Sequence, residues 1–278
     1  MRRRNIRKGK EKKLSLLKWI IAGVLLLLVG LLVFFLRAKY WNHDGKLAVV
    51  TDYGKDVVIS LYDSRAGNRT DVVIPGNTQI LAAYGLGTWK LGSLWKLGVD
   101  EKIGGSLITR SISKNFSLPV FICWDNLSVG DKIKTKLFSF LNRNSKDTIY
   151  LKETSYLKKT VFLDGESGYL VNTDVPEEVS SLFSDQEEFG SFLKAKITDS
   201  TGSYNLANKV GRIIETMGIK VAVISKGSGF KFDCKVVGKN KELVGKAALI
   251  LGCGEAETKD STAFDLEIDL GEKFTQGF

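Results

Sequence analysis

The apolar positions near the N-terminus form one unbroken run. From Trp19 to Leu36, over 18 residues, every residue is apolar or glycine. At about 1.5 Å per residue, a helix of this length spans roughly 27 Å, close to the ~30 Å hydrocarbon thickness of a bilayer. Lys18 can extend its side chain to the interface and so lengthen the helix. The pattern therefore predicts a transmembrane helix over residues 14–36.

The charges that flank this run predict its orientation. Residues 1–18 carry nine basic residues and one acid, Glu11, and residues 1–13 form a basic tail. Positive charge on one side of a span favours a cytoplasmic N-terminus, which places the C-terminus outside the plasma membrane. A cleaved signal peptide is the alternative, although its apolar segment is usually only about 7–15 residues long. The sequence favours an uncleaved single-pass anchor.

The positive charge of the chain is concentrated in this tail. The formal net charge is +10, and removing the net +8 of residues 1–18 leaves +2 for all the rest. A nearly neutral ectodomain has no basic surface of the kind that binds DNA or RNA. We therefore exclude nucleic acid as a partner and expect the membrane to be one.

The C-terminal third of the chain alternates between the two hydrophobic periods. Apolar residues at every second position predict strands, and apolar residues three and four apart predict helices. The predicted strands are Leu193–Ile197, Val221–Ile224, Phe230–Val236 and Phe264–Leu270, and the predicted helices are Leu206–Met217 and Leu243–Leu251. The order β-α-β-β-α-β is typical of a split β-α-β domain with helices on one face of a sheet.

The ectodomain as a whole is predicted to be mixed α/β, of the α+β type. Residues 40–162 form a first β/α domain and residues 191–278 a second. Between them, residues 163–190 are acidic, rich in turn residues and weakly periodic, which indicates a linker.

The turn that follows the strand Leu193–Ile197 has a distinctive composition. Its residues, Asp199-Ser200-Thr201-Gly202, resemble the Asn-Gly-Thr-Gly-like turn that opens the C-terminal domain of LytR-CpsA-Psr envelope proteins. Asp199 stands where that family favours Asn, and Ser200 and Asn205 stand where it favours Gly. The segment Leu270-Gly271-Glu272-Lys273-Phe274 is similar to the family's closing Leu-Gly-x-x-Phe. The resemblance covers about residues 191–275.

In that family, such a domain often follows a catalytic domain that transfers lipid-linked glycopolymers to peptidoglycan, using Arg and Asp residues around a pyrophosphate. Residues 40–162 resemble this catalytic domain in outline only. Gly76 and Asn77 stand where the family's Ile-Pro-Arg-Asp-Thr motif places Arg and Asp. The resemblance therefore implies an envelope protein without the family's catalytic residues.

We predict no catalytic residue, no metal site and no cofactor. His43 is the single histidine, which leaves no Ser-His triad and no HExxH zinc site. The candidates for ligand binding are the turn residues that match the family, Asp199, Thr201 and Gly202, together with Arg65 and Arg69.

The cysteines suggest one crosslink. Cys234 shares the strand face of Phe230 and Phe232, and the next helix runs back over that strand to end before Cys253. The strand advances about 13 Å and ten helical residues return about 15 Å, which brings the two cysteines to similar height. An oxidising exterior allows the bond, so we predict a Cys234–Cys253 disulfide over the alternative of two buried thiols. Cys123 is then left as a free thiol in a core strand.

Two functions from different classes follow. The first is a membrane-anchored envelope protein that binds cell-wall polymer or other envelope proteins without catalysis, with a role in cell-wall maintenance. The second is a diverged glycopolymer phosphotransferase with an anionic site rebuilt from Arg65, Arg69 and Arg110. A third reading is a single-pass scaffold of division or secretion. Convergence of the three arginines in one pocket would favour the phosphotransferase.

Overall fold

The computed structural model of the chain describes residues 19–33, 39–41, 45–172, 174–190, 192–229, 233–257 and 263–278. By its internal contacts the chain divides into two compact units, residues 1–42 with 127–138, and residues 43–126 with 139–278. The prediction of a mixed α/β fold of the α+β type is confirmed, because helices and three mixed sheets alternate along the chain.

The described residues of the first unit include two helical segments. Residues 19–33 form helix α1, and its large apolar side chains are 46–79% exposed. The predicted membrane span, residues 14–36, lies partly outside the described residues. Within the described residues, no helix is long and apolar enough to cross a membrane.

The second unit begins with a three-stranded antiparallel meander. Strands β1 (Lys46–Tyr53), β2 (Asp56–Asp63) and β3 (Asn68–Ile74) pair in sequence order. Gly54, at φ +75°, makes the tight turn between β1 and β2, because this backbone conformation costs glycine little. Two further strands pair in parallel with the edges of the meander, β6 (Ile122–Cys123) with β1 and β7 (Lys146–Tyr150) with β3.

A second sheet, with strand order β5-β4-β9-β8, completes the first core. Its strands are β4 (Thr78–Leu81), β5 (Thr88–Lys90), β8 (Leu157–Val161) and β9 (Ser167–Val171). Helices α2 (Leu94–Asp100) and α3 (Ser106–Phe116) lie between β5 and β6 in the chain. Leu107, Ile108 and Ile112 give α3 an apolar face, and this face is buried in the core.

Helix α4 (Val129–Leu141) follows β6, and two short helices follow β9, α5 (Glu177–Phe183) and α6 (Gln186–Phe189). The stretch 163–190, expected to be a linker, therefore contains β9, α5 and α6. It folds because Val179 and Phe183, four residues apart on α5, are buried in the first core. The acidic composition of this stretch hid these two apolar anchors.

The C-terminal residues form a third sheet, with strand order β11-β10-β14-β12-β13. Its elements are, in chain order, β10 (Lys194–Asp199), α7 (Leu206–Thr216), β11 (Lys220–Lys226), β12 (Cys234–Gly238), α8 (Lys241–Leu251), β13 (Gly254–Glu257), β14 (Leu266–Leu270) and α9 (Phe274–Gly277). Strand β10 lies between β11 and β14 and is parallel to both, while β12 is antiparallel to β14. The apolar faces of α7 and α8 and the buried positions of this sheet make a second core.

The described elements of this part match the predicted order with two additions, β13 and the short helix α9 that follows β14. Strand β13 follows α8 directly and pairs in parallel with β12. The hydrophobic pattern did not indicate it, because Gly254-Glu255-Ala256-Glu257 offers no alternation of large apolar residues. Strand β12 begins at Cys234, and the residues 230–232 of the predicted strand lie outside the described part of the chain.

Candidate functional site

The turn between β10 and α7 contains three of the predicted ligand-binding residues. The Oδ1 atom of Asp199 accepts hydrogen bonds from the backbone N–H of Thr201 at 2.9 Å and from its hydroxyl at 2.6 Å. The Oγ1 atom of Thr201 in turn accepts from the backbone N–H of Ser203. Gly202 takes a left-handed conformation, φ +68°. Asp199 and Thr201 thus stabilise the turn itself, as Asp and Thr commonly do.

The start of α7, which follows this turn, lines a groove. Asn205, which precedes α7, takes a left-handed φ of +62°, and its side-chain oxygen accepts a hydrogen bond from Asn208. Asn tolerates this conformation better than most residues, because its short side chain bonds locally. Asn205 and Asn208 both line the groove. The turn therefore contributes to the site by positioning Asn205.

The groove lies between the outer face of α7 and strand β11 and encloses about 610 Å³. Helix α7 contributes polar and charged side chains, and β11 contributes Val221–Ile224. The lining residues of α7 and its cap are Asn205, Asn208, Lys209, Gly211, Arg212 and Glu215. Arg212 and Glu215 also line a second hollow of about 340 Å³, with Asp174, Val175, Ser180 and Thr216.

Strand β11 is an edge strand of the third sheet among the described residues. Among the strands that the structure describes, β11 pairs only with β10. Val223 and Ile224 are 41% and 44% exposed on it, and Lys220 and Lys226 stand at its two ends. An open edge presents unpaired backbone N–H and C=O groups, which pair with an added strand. Lysines also protect such edges against uncontrolled pairing.

No pattern in the sequence indicates this groove directly. The short, fully apolar run Val221–Ile224 predicts a strand, but strand order alone decides that β11 is an edge and not a centre. The helical spacing of the apolar residues in α7 does predict that its other face is polar and exposed. Its closeness to β11 follows from the parallel β10-α7-β11 crossover, which packs the helix against its own pair of strands.

Arg65 and Arg69 are held within the first sheet. Arg69 binds both carboxylate oxygens of Asp71, at 2.8 and 3.0 Å, and also donates to the hydroxyl of Ser60. Arg65 lies in the turn between β2 and β3, where its backbone N–H bonds to Asp63. Burial raises the pKa of the nearby Tyr62 hydroxyl, and the Arg69 guanidinium opposes that shift. Arg69 therefore belongs to a hydrogen-bond network of the sheet, together with the buried side chains of Asp71 and Ser60.

Arg110 has a different set of neighbours. It lies over the ring of Tyr84, 5.7 Å from the centroid, and donates to the carbonyl of Gly277 at 3.4 Å. One turn further along α3, Lys114 donates to the carbonyl of Phe278 at 2.6 Å. Neither Arg110 nor the other two candidate arginines lines the groove or the second hollow. The arrangement of these arginines gives no support to a rebuilt pyrophosphate site.

Position 76 is closed by backbone. A Cβ atom at Gly76 would overlap the carbonyl oxygen of Lys55 and lie 3.3 Å from the Cα of Gly92. The neighbouring Asn77 donates its amide to the carbonyl of Ser167. A side chain at position 76 therefore has no room without a shift of the backbone.

Cys234 and Cys253 form a disulfide, with their Cα atoms 4.9 Å apart. The separation lies inside the roughly 7 Å limit that a disulfide can bridge. Cys123 is free and buried, and burial raises the pKa of its thiol. The described residues contain no group of three His, Cys, Asp or Glu side chains placed to hold a metal ion. His43 lies outside the described residues.

No family model, no curated protein and no solved structure matches this chain. The groove at β11 is thus the candidate site on the strength of its own geometry.

Proposed function

We propose that this chain is a membrane-anchored protein of the bacterial cell envelope that binds a partner without catalysing a reaction. The groove of about 610 Å³ beside the open edge of β11 carries this proposal. A backbone edge next to a groove suits recognition of an extended chain, because the edge supplies hydrogen bonds and the groove accepts side chains.

The charge of the site supports one kind of partner over another. Two cations, Lys209 and Arg212, line the groove together with one carboxylate, Glu215. Lys220 and Lys226 stand at the two ends of β11, where Lys226 lies opposite Asp199 of β10. The exposed apolar residues Val223 and Ile224 lie between the two strand lysines. These features favour an extended, acidic peptide segment of another envelope protein over a wall polymer, since none of the described residues that line the groove is an aromatic on which a sugar could stack.

The anchor and the family belong to the same proposal. The apolar run Trp19–Leu36 and its basic flank support a single membrane span with the ectodomain outside. The turn Asp199-Ser200-Thr201-Gly202 and the closing Leu270–Phe274 support a LytR-type C-terminal domain. A role in cell-wall maintenance, or as a scaffold, follows from these two supports together.

A crosslinking experiment tests the binding site. A photo-reactive amino acid in place of Val223 in the full-length protein should capture a partner in intact membranes, as a discrete band of higher mass. The charge-introducing variant Val223→Glu should weaken that partner's recovery from crosslinked membranes at least about fivefold, since like charge opposes an acidic segment. Val161→Glu, at an exposed valine of β8, is the matched control and should leave recovery unchanged. Equal loss in both variants would contradict the proposal.

Carbonate extraction tests the anchor separately. The full-length protein should remain in the membrane pellet at alkaline pH, as a spanning helix does. Release into the supernatant would remove the anchor from the proposal without affecting the groove.

A further inference from the structure

Helix α4 has an apolar stripe on its outer side. Val129, Ile133 and Leu137 succeed one another at intervals of four residues, and Phe140 and Leu141 continue the row on the same helix. These five side chains are 45–75% exposed. Single exposed apolar residues are ordinary on protein surfaces, but a continuous stripe along a whole helix indicates a surface that contacts something apolar.

The opposite side of α4 is firmly packed. Asp131, Thr135 and Phe138 are buried, and the ring of Phe138 meets that of Trp41 edge-on at 5.2 Å between centroids. Because residues advance about 100° around a helix, these three lie roughly opposite the stripe. The helix therefore has a fixed orientation, with its apolar stripe turned outward.

The charges of α4 flank the stripe on both sides. On the helical wheel, Lys132 and Lys136 stand along one border and Lys134 along the other. The helix has one acidic residue, Asp131, and that residue is on the buried side. An outward apolar stripe bordered by lysines is the pattern of helices that lie in the interface of a bilayer with anionic lipid.

The chain connects this helix directly to the proposed anchor. Asp131 accepts hydrogen bonds from the backbone N–H groups of three successive residues, Lys39, Tyr40 and Trp41, at 3.1–3.3 Å. Ser128 also donates its hydroxyl to Asp131, at 2.6 Å. The first turn of α4 is thus fixed to residues 39–41.

The short distance along the chain then limits where α4 can be. Lys39 is the third residue after Leu36, the end of the apolar run, and three Cα–Cα steps reach at most about 11 Å when the chain is fully extended. The first turn of α4 consequently stays within the headgroup region if Leu36 marks the exit of the chain from the hydrocarbon. The stripe continues along the full helix, so a flat orientation on the membrane buries all of it.

We propose that α4 is an interfacial helix, which lies on the outer leaflet of the membrane with its apolar stripe in the acyl boundary and its lysines among anionic headgroups. This inference rests on the proposed membrane anchor. It gives the ectodomain a second attachment, next to the first, and so a defined orientation of the protein on the membrane surface.

The test uses the full-length protein in vesicles of phosphatidylethanolamine and phosphatidylglycerol. The variant Leu137→Cys carries an environment-sensitive fluorophore on the introduced thiol, because Cys123 is buried and the other two cysteines are bonded to each other. Lipids with a nitroxide on the upper part of the acyl chain should quench this label at least about twofold more than a label at Leu163→Cys. Leu163 is the matched control, a fully exposed leucine in the turn between β8 and β9.

Each other outcome overturns the inference in a recognisable way. Equal quenching at positions 137 and 163, in protein that resists carbonate, overturns the interfacial helix and leaves the anchor standing. A label at 137 that is shielded from water but is not quenched by the lipid nitroxide, and whose shielding depends on the protein-to-lipid ratio, shows a second copy of the chain on the stripe. Release by carbonate overturns the anchor and this inference with it.

Discussion

Asp71 and Asp185 are both buried carboxylates, but their surroundings differ. Asp71 accepts from Ser60 at 2.8 Å and is paired with Arg69 and Lys146. Asp185 is paired with Lys246 at 2.7 Å, while its Oδ2 atom has no hydrogen-bond partner among the described residues. Burial raises the pKa of Asp185, against the opposing effect of Lys246. The ionised form of Asp185 is therefore unfavourable in the folded protein.

A pH-dependent loss of stability follows for Asp185. Just above the usual aspartate pKa of about 3.9, the unfolded chain releases a proton that folded Asp185 retains. The contribution of this group to the free energy of unfolding therefore falls as pH rises from about 4 through the raised pKa. The side chain in Asp185→Asn cannot ionise. The melting temperature of this variant minus that of the natural protein should therefore be higher at pH 7 than at pH 4. A difference that is constant between these pH values would contradict the prediction, and Asp100→Asn controls for the substitution itself.

Gly76 shows how backbone contact restricts a single position. Because a Cβ there overlaps the carbonyl of Lys55, Gly76→Ala should lower the free energy of unfolding by about 3 kcal/mol, as overpacking does. The control Gly245→Ala lies inside α8, where its Cβ would meet Glu255 at an ordinary 3.6 Å. That control should be neutral or raise stability by about 0.5 kcal/mol. Urea unfolding of both variants measures the change in the free energy of unfolding. Equal changes in the two variants would contradict the prediction.

At the scale of elements, α8 shows how local and covalent signals combine. Asn240 caps its start by accepting hydrogen bonds from the backbone N–H groups of Glu242 and Leu243. Gly252, at φ +68°, ends the helix and turns the chain toward Cys253. The disulfide with Cys234 then joins the end of α8 to the start of β12. The bond closes a loop that contains β12 and α8 and ends directly before β13.

Removal of the disulfide should therefore weaken this unit. Cys234 and Cys253 are 19 residues apart in sequence. Without the bond the unfolded chain gains conformational entropy, which lowers the free energy of unfolding by about 3 kcal/mol. Denaturant unfolding of the double variant Cys234→Ala, Cys253→Ala should show that loss. A reductant should destabilise the natural protein to a similar level and leave the double variant unchanged. A reductant effect in the double variant would contradict the assignment.

At the scale of the molecule, the second unit has two hydrophobic cores joined by polar contacts. Arg110 and Lys114 of α3 bind the carbonyls of Gly277 and Phe278, and Lys246 of α8 binds Asp185. Phe121 and Phe189 also pack against the second core. These contacts make the cores interdependent, because breaking either one exposes the partners held by the other.

We expect a single unfolding transition for this unit. Hydrogen exchange of amides in β2 reports on the first core, because Val57, Ile59 and Leu61 of this strand are buried there. Hydrogen exchange of amides in β14 reports on the second core. The two should give the same midpoint in denaturant, as cooperative folding requires. Separate midpoints would show that the cores unfold independently.

The sequence alone determined much of the local structure. The alternation in Ala195–Ile197 and Leu266–Leu270 and the helical spacing in Leu206–Met217 predict β10, β14 and α7, because burial on one face leaves a short period in the chain. The mixed α/β class followed from the same periods. The Cys234–Cys253 pairing could be predicted but only the folded geometry confirms it, because the intervening helix has to bring the two cysteines to the same height.

Tertiary structure alone decided which surfaces are open and which positions are closed. Strand order makes β11 an edge and creates the groove, and the carbonyl of Lys55 closes position 76. Asp131 fixes Lys39–Trp41 across some 90 residues of chain. Such pairs lie far apart in sequence and no local hydrophobic period records them, so they exist only once the chain has folded.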